Sequence, residues 1–545
     1  MSSDRFEIGL TMAGAVSAGA YQAGVIDFLF QALDEWQAAK ERGDPAVPSH
    51  EVLLKVVTGA SAGGMTAAVM TAMADRDFPR VADPAGERHT ANNLFEAWVN
   101  RIDIADLLGK QDRGEDELPS LLDSTVLDRI ARDVFSSKLA AKRRAYIASD
   151  FRTILCFTNQ RGIPYRIAFA GETGQGHEMT RHGDRLEFTL AEVRPSGPDG
   201  YWLEAGNYSG ENWDLLRSAA LASGAFPIGL APRKIRRRRK DYAGDPRGGG
   251  VIEPAWDASG ASAEMCFWAV DAGVTDNEPF QLARERLSKE EEGQDPQTPT
   301  GAGGMIIMVD PFVGREVVPE DTYDSPRPGL LKQMSTILGS AIDEARFKPE
   351  ELAQAQDSTV CNRFLIAPIR TDHGERLLSP KAIACGALGA FGGFLSREFR
   401  VHDFILGRRN CQKFLRSHFA LEVEPGRVNK RFRVSYEEAQ AKAWLFVEGG
   451  KAFMPVIPLV GSALDVVKPP TWPVYGMDEL DRLGGQMEAR LDLIVQKIKE
   501  ALPLQILSRP ISWTLWGLVA KNVRERLKKV VRTSLEEHDL FVKVR

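Results

Sequence analysis

The chain has little that would mark it for a specialised environment. Its five cysteines (Cys156, Cys266, Cys361, Cys385 and Cys411) are widely spaced and odd in number, with no C-x-x-C pair and no Cys/His cluster. That spacing supports neither a disulfide framework nor a zinc site, so no metal is expected and a reducing, cytoplasmic setting fits best. Cys156 and Cys266 sit in strand-like runs and read as core. No stretch reaches the roughly 18 apolar residues of a membrane-spanning helix. The opening MSSDRFEIGL has no basic segment leading into an apolar run, so no signal peptide is expected. Excess positive charge is also missing. A formal net charge of −6 gives no global attraction to nucleic acid. There is no internal repeat. What remains is an ordinary globular composition, 43% hydrophobic and 26% charged over 545 residues, long enough for roughly two to four domains.

The most informative stretch is 52–74, VLLKVVTGASAGGMTAAVMTAMA. Val52, Leu53, Leu54, Val56 and Val57 form a β-branched apolar run that reads as a buried strand. Gly59-Ala60-Ser61-Ala62-Gly63 follows, then Ala- and Met-rich sequence that reads as a helix. Strand, G-x-S-x-G and helix is the context of a nucleophile elbow, a turn so sharp that its flanks must be nearly without side chains. Ser61 would stand at the turn, facing the positive end of the following helix. A small-residue turn before a packed helix is the plainer alternative.

Two further strand ends bear on Ser61. Upstream, Phe6–Met12 reads as a strand entering a small-residue loop, Gly14-Ala15-Val16-Ser17-Ala18-Gly19, with a helix then running through about Trp36. Such a loop leaves backbone N–H groups open to an oxyanion. It also has the look of a degraded dinucleotide loop, but Val16 stands where a Rossmann glycine belongs, and Asp34 and Glu35 fall inside the helix. Downstream, Met265–Val270 reads as a strand ending in Asp271-Ala272-Gly273. A carboxylate at the C-terminal end of a strand is where open α/β sheets place their chemistry. Asp276 or Asn277 is expected to cap the helix that begins near Pro279.

Together, Gly14 to Gly24, Gly59 to Gly64 and Asp271 to Pro279 resemble the patatin-like phospholipase family, over roughly residues 5–420. Ala222-Ser223-Gly224-Ala225-Phe226-Pro227 is similar to that family's small-residue segment before a proline, and 396–410 to a later segment of its longer bacterial members. The resemblance implies a three-layer α/β fold with a central, mostly parallel sheet. It implies a lipid acyl hydrolase with lipid or phospholipid substrates, a Ser61–Asp271 dyad, an oxyanion hole at Gly14, Ala15 and Val16, and no cofactor. Gly19, Gly59, Gly63, Ala272 and Gly273 match its motif positions. There are departures from the pattern. The family's loop is usually G-G-G-x-R-G; here Ala18 stands for the arginine, and Ala15 and Val16 for two glycines. Donors survive such replacements where φ is negative. Chemistry alone would ask for a Ser–His–Asp triad, for which His373 and His402 are the candidates. A catalytically silent scaffold is a third reading.

The rest of the chain reads more plainly. Lys110 to Asp116 is a solvated turn. From Arg152 the pattern turns to strands (TILCFTN, YRIAFAG, RLEFTLAEV), and 171–183 is a polar loop with His177 and His182. Arg233 to Lys240 is the densest charge run, read either as a solvated loop or, through Arg236, Arg237, Arg238 and Arg239, as a patch for an anionic membrane surface. Met305–Val309 and Phe364–Ile369 read as further buried strands, and Leu378–Phe419 as helical, with its arginines and Asp403 pairing internally. Insertions are expected near 171–212, 233–262 and 285–304, and a mainly helical region over 421–545. Peripheral membrane contact is the only membrane role expected. The sequence indicates neither a nucleic-acid partner nor an oligomeric state.

Overall fold

A computed structural model of the protein describes residues 5–136, 138–167, 177–196, 200–242, 254, 263–288, 304–313, 333, 339–340, 344, 363–422, 444–501 and 512–542. The chain runs through β1 (Arg5–Met12), α1 (Gly19–Glu41), β2 (Glu51–Gly59), α2 (Ala62–Met73), α3 (Thr125–Ser136), β3 (Ile147–Ile167), β4 (His177–Ala191) and β5 (Tyr201–Glu204). It continues through α4 (Glu211–Ser223), β6 (Arg233–Arg238), β7 (Glu264–Val270), α5 (Phe280–Ser288), β8 (Gly304–Val309) and β9 (Arg363–Ile366). Three long helices follow: α6 (Arg397–Ser417), α7 (Met477–Ala501) and α8 (Ser512–Glu537).

The strands form one sheet in the order β5-β4-β3-β2-β1-β8-β9, with β7 joined to β3 and β6 to β7. Its centre is parallel: β1 pairs with β2 on one side and β8 on the other, with β3 and β9 continuing outward. The β3–β4, β3–β7 and β6–β7 pairings are antiparallel. A parallel centre must be covered on both faces, and the alternation along β8 shows how this is done. Met305, Ile307 and Val309 enter the large core beneath α1 and α2, while Ile306 and Met308 enter a smaller core with Ala283 and Leu287 of α5. The result is a three-layer α/β fold.

The later segments are built onto this body. Helix α6 lies along α1, so closely that a Cβ on Gly24 would overlap the Phe404 carbonyl and one on Gly407 would overlap that of Tyr21. Helices α7 and α8 share an apolar cluster with Leu395 and Phe399 through Leu480, Leu483, Val531 and Leu535. The region beyond 421 is not wholly helical. A three-stranded antiparallel sheet joins Ala420–Glu422, Lys451–Pro455 and Phe446–Glu448.

Several expectations are corrected. Arg233 to Arg238 is a strand, not a loop, and period-2 alternation turns Arg237 inward beside Ile235. Arg237 pairs with buried Asp184 and stacks on Tyr242. Arg238 pairs with Asp241 at 2.8 Å, and Arg236 with Glu211 at 3.2 Å and Glu264 at 3.6 Å. These guanidiniums answer carboxylates of the protein itself, so the run does not form one open cationic patch. Cys266 is exposed, because the same alternation puts Met265 and Phe267 inside. His182 lies on β4, with Nδ1 2.8 Å from the Asn159 carbonyl. Leu378–Phe419 is helical only in part: Glu375–Leu378 closes a hairpin, and left-handed turns at Leu388 (φ 56°) and Ala390 (φ 76°) precede α6. Asp403 accepts the Ala384 and Cys385 N–H groups, while Arg400 pairs with Asp103. Of the expected insertions, 171–176, 197–199, 243–253, 255–262 and 289–303 lie outside the described residues, as does Cys361.

Asp112, within the turn expected to be solvated, is buried and takes a bidentate contact from Arg490 of α7 at 2.6 and 2.7 Å. Arg490 also donates to the carbonyls of Gly109, Ser120 and Leu121. Removing one member of a buried pair strands the other charge, at a cost of about 3–5 kcal/mol. Arg490→Met should therefore lower the thermal midpoint markedly. The double change Arg490→Met with Asp112→Leu should lose less than Arg490→Met alone, as read by thermal unfolding of all three proteins.

Candidate active site

The site is built where three strand ends meet. β1 and β2 run in register to their last residues, Met12 opposite Gly59, so the loop after β1 and the turn after β2 leave the sheet at one level. Ala60 N–H donates to the Met12 carbonyl at 3.2 Å. Gly63, at the start of α2, lies under the Met12 and Ala13 carbonyls so tightly that a Cβ would overlap both. A Cβ on Gly59 would likewise strike the Gly63 backbone. Small residues at 59 and 63 are therefore a steric requirement of this turn. Ser61 sits at its apex with φ 54° and ψ −131°, a conformation rare for a residue with a side chain. The N-terminus of α2 begins at the next residue and directs its positive end toward Ser61.

Asp271 arrives at the end of β7. Its N–H donates to the Ala225 carbonyl at 2.9 Å, and its carbonyl accepts the Thr158 hydroxyl at 2.8 Å. The 222–227 segment thus holds the aspartate's backbone. One carboxylate oxygen, Oδ1, accepts the Gly273 N–H at 2.7 Å; the other, Oδ2, accepts the Ser61 hydroxyl at 2.8 Å. Both side chains are buried, Ser61 at 7% and Asp271 at 5% exposure. Burial pushes the Asp271 pKa up to about 6, against the pull of the Gly273 and Ser61 donors.

The loop after β1 differs from expectation in two respects. Gly14 N–H is engaged by the Asn277 carbonyl at 3.0 Å, and Ala13 N–H by that of Val309 at 3.1 Å. Of the three expected donors, Ala15 and Val16 keep N–H groups with no acceptor among the described residues; Gly14 does not. Asn277 is thus tied to this loop and lines the site. In addition, Val16 has φ 47°, so the negative φ that would make a β-branched replacement easy is not present. A strained residue of this kind costs about 1–3 kcal/mol and persists only where its surroundings over-determine it. The brace is visible. Ser17 N–H and hydroxyl both donate to the Ala390 carbonyl, and Gly393 N–H donates to the Ser17 hydroxyl at 2.9 Å. One residue group further, Leu388 N–H donates to the Ser534 hydroxyl of α8 at 2.8 Å.

Ser61, Asp271, Ala15 and Val16 line one cavity of about 570 Å³. Phe226, Pro227, Val274, Phe312 and Phe391 give it apolar walls, and Ser534, Glu537 and His538 close one side. His373 and His402 are not among its lining residues. His373 has a fully solvated side chain, 99% exposed. His402 is buried with Nδ1 2.7 Å from Asp403, its ring edge-on to Trp472. The sequence reading missed the histidine that does line the cavity: His538 lies beyond α8 with no motif around it. Among the described residues no group of His, Cys, Asp and Glu could hold a metal ion, and no helix is long and apolar enough to cross a membrane.

Three comparisons relate the chain to known proteins. A sequence profile described as patatin-like phospholipase matches residues 10–284, just over half of the chain and inclusive of every motif residue from Gly14 to Gly273. An uncharacterized protein of Sinorhizobium fredii is 34% identical over 543 residues, covering 91% of this chain and 76% of its own. The crystal structure of VipD from Legionella pneumophila aligns over 73% of this chain and 67% of that one at 12% identity, with a TM-score of 0.23 too low to carry an argument. On the extent of the profile match, the chain belongs to the patatin-like phospholipase family.

Proposed function

We propose that the protein is a serine lipid acyl hydrolase working through a Ser61–Asp271 dyad, without a histidine. The observation that carries this reading is the 2.8 Å hydrogen bond from Ser61 Oγ to Asp271 Oδ2 at the apex of a strained turn. Ser61 Oγ attacks the ester carbonyl carbon and its proton passes to Asp271. The carbonyl oxygen becomes an oxyanion facing the Ala15 and Val16 N–H groups and the positive end of α2. Collapse breaks the ester C–O bond, and Asp271 returns the proton to the departing alkoxide. Asp271 then takes a proton from water as the water oxygen attacks the acyl carbon. Ser61 recovers its proton as the acid leaves. A carboxyl raised to about 6 suits this cycle, since it is ionised at neutral pH yet basic enough to hold a proton in the transition state.

The following outcomes test the proposal. Ser61→Ala should abolish both ester hydrolysis and fluorophosphonate labelling while the circular-dichroism spectrum stays native; retained activity would remove Ser61 from the role. A wild-type protein that neither labels nor hydrolyses would favour a silent, binding member of the family.

Asp271→Asn should cost about a hundredfold or more in kcat/KM, the scale of general-base removal. His373→Ala and His402→Ala should cost little, and a large loss at either with the fold intact would favour a triad. The pH profile of the wild type should rise through about 6, because the base must be ionised to accept the proton.

Stability should move the opposite way. The native carboxyl binds its proton more tightly than the unfolded one, so its burial destabilises the fold as pH rises from about 4 to about 6, by at most about 3 kcal/mol. Asp271→Asn should therefore melt higher than wild type at pH 8, with the gain fading by pH 4.

Val16→Gly should retain hydrolysis, since it keeps the N–H and relieves the positive φ. Val16→Pro, which removes the N–H and forbids that φ, should lose it.

A further inference from the structure

The cavity at Ser61 is unevenly charged. The positive end of α2 and the two open N–H groups belong to it. So does the end of α8, where the carbonyls of Ser534, Leu535 and Glu536 are taken by His538, Leu540 N–H and Asp539 N–H, which leaves the Glu537 carboxylate as its free charge. Glu537 closes that helix, lines the cavity and is exposed, and its carboxylate has no hydrogen bond or ion pair to any described residue. Its neighbour Glu536 lies off the cavity and is paired with Arg532 at 2.8 Å. Ser534 is occupied by Leu388 N–H, and His538 donates Nδ1–H to the Ser534 carbonyl at 2.9 Å, so its Nε2 is the nitrogen without a partner among the described residues. The described lining therefore contains two carboxylates, Asp271 and Glu537, one imidazole, and neither lysine nor arginine.

We propose that the end of α8 is the headgroup-selecting wall of this site. Glu537 favours esters whose headgroup carries an ammonium over esters with a net-anionic headgroup. The inference rests on the hydrolase reading of Ser61 and adds the substrate class. An ester held with its carbonyl at the open N–H groups of Ala15 and Val16 shares its cavity with this free carboxylate. A zwitterionic phospholipid headgroup meets this wall with its cation. An anionic headgroup of similar size meets a like charge. Since Glu537 is solvated, the discrimination is modest, on the order of two- to fivefold for one such contact, and it is screened by salt. The wall lies some 250 residues beyond the stretch that the family profile matches, so it is a property of this chain's own α8.

The test uses two chain-matched, short-chain phospholipids below their micellar concentrations, one choline-headed and zwitterionic, the other glycerol-headed and anionic. For the full-length protein, kcat/KM is measured on each, and for Ser61→Ala the Kd of each is measured by intrinsic tryptophan fluorescence. Only the ratio within one protein is compared, so a general change in activity cancels. The choline lipid should be preferred in both measurements. Glu537→Gln should shrink the preference by about two- to fivefold, Glu537→Lys should reverse it, and 0.5 M salt should flatten it (about a 4 Å screening length). Glu536→Lys, one residue away and off the cavity, should leave the ratio unchanged. An unaltered ratio in Glu537→Lys overturns the proposal, as does an equal shift in Glu536→Lys or a Ser61→Ala protein that binds neither lipid. If the wild type neither labels nor hydrolyses, the hydrolase reading falls by itself, and the Kd ratio still decides whether α8 selects the headgroup.

Discussion

The site depends on how closely the turn after β2 can approach the end of β1. In-register parallel pairing brings Met12 and Gly59 to the same level, and Ala60 N–H closes the gap by bonding the Met12 carbonyl. From that contact the rest follows. Position 63 has no room for a Cβ, position 59 has none either, and the backbone at Ser61 must turn through a positive φ to begin α2. Because Ser61 is lifted by backbone geometry and not by side-chain packing, its hydroxyl stands clear of the sheet, where a group arriving from β7 can reach it. The twist and order of the outer strands then matter only in delivering Asp271, through β3, Thr158 and the Ala225 carbonyl.

The same geometry makes the site a stability liability. A carboxylate at 5% exposure, a serine with φ 54° and a valine with φ 47° are each unfavourable locally. They persist because the surrounding sheet is deeply buried on both faces, with Phe6, Ile8, Leu10 and Met12 at 0–1% exposure on one side and Val56, Ile154 and Ile306 at 0–2% on the other. Locally unfavourable choices gathered at one place, inside an otherwise consistent fold, are what a site kept for chemistry is expected to display.

The parts of this arrangement that could be read from sequence were those with a local cause. The apolar runs Phe6–Met12 and Val52–Val57 announced strands because both their faces are buried, Met265–Val270 announced one although Cys266 and Trp268 on one of its faces are exposed, and the small residues at 59, 63 and 64 announced a turn because sterics demand them. Arg233–Arg238 gave no such signal. Its inward arginine is accepted by Asp184 and Tyr242, partners that only the tertiary fold supplies, so charge density was mistaken for exposure. Asp112 misled in the same way, its partner Arg490 lying 378 residues on. In the oxyanion loop, sequence could nominate Gly14, Ala15 and Val16 but could not show that Asn277 engages the first of them. His538 was illegible for a deeper reason: nothing near it repeats, spaces or caps in a way that chemistry requires.

The strained loop at Val16 is held through Ser17 by Ala390, and the turn bearing Ala390 is held through Leu388 by Ser534. Some 500 residues of chain lie between the first and last members of that linkage. A ribosome adding about 5–20 residues per second delivers Ser534 roughly half a minute to nearly two minutes after Ser17. For most of that interval Ser61 has been made and β1 and β2 can already pair, and the loop beside it gains its braces in turn, from Asn277, Val309 and Ala390 before the last from Ser534. A site assembled in this order receives the last of its braces only once α8 has docked.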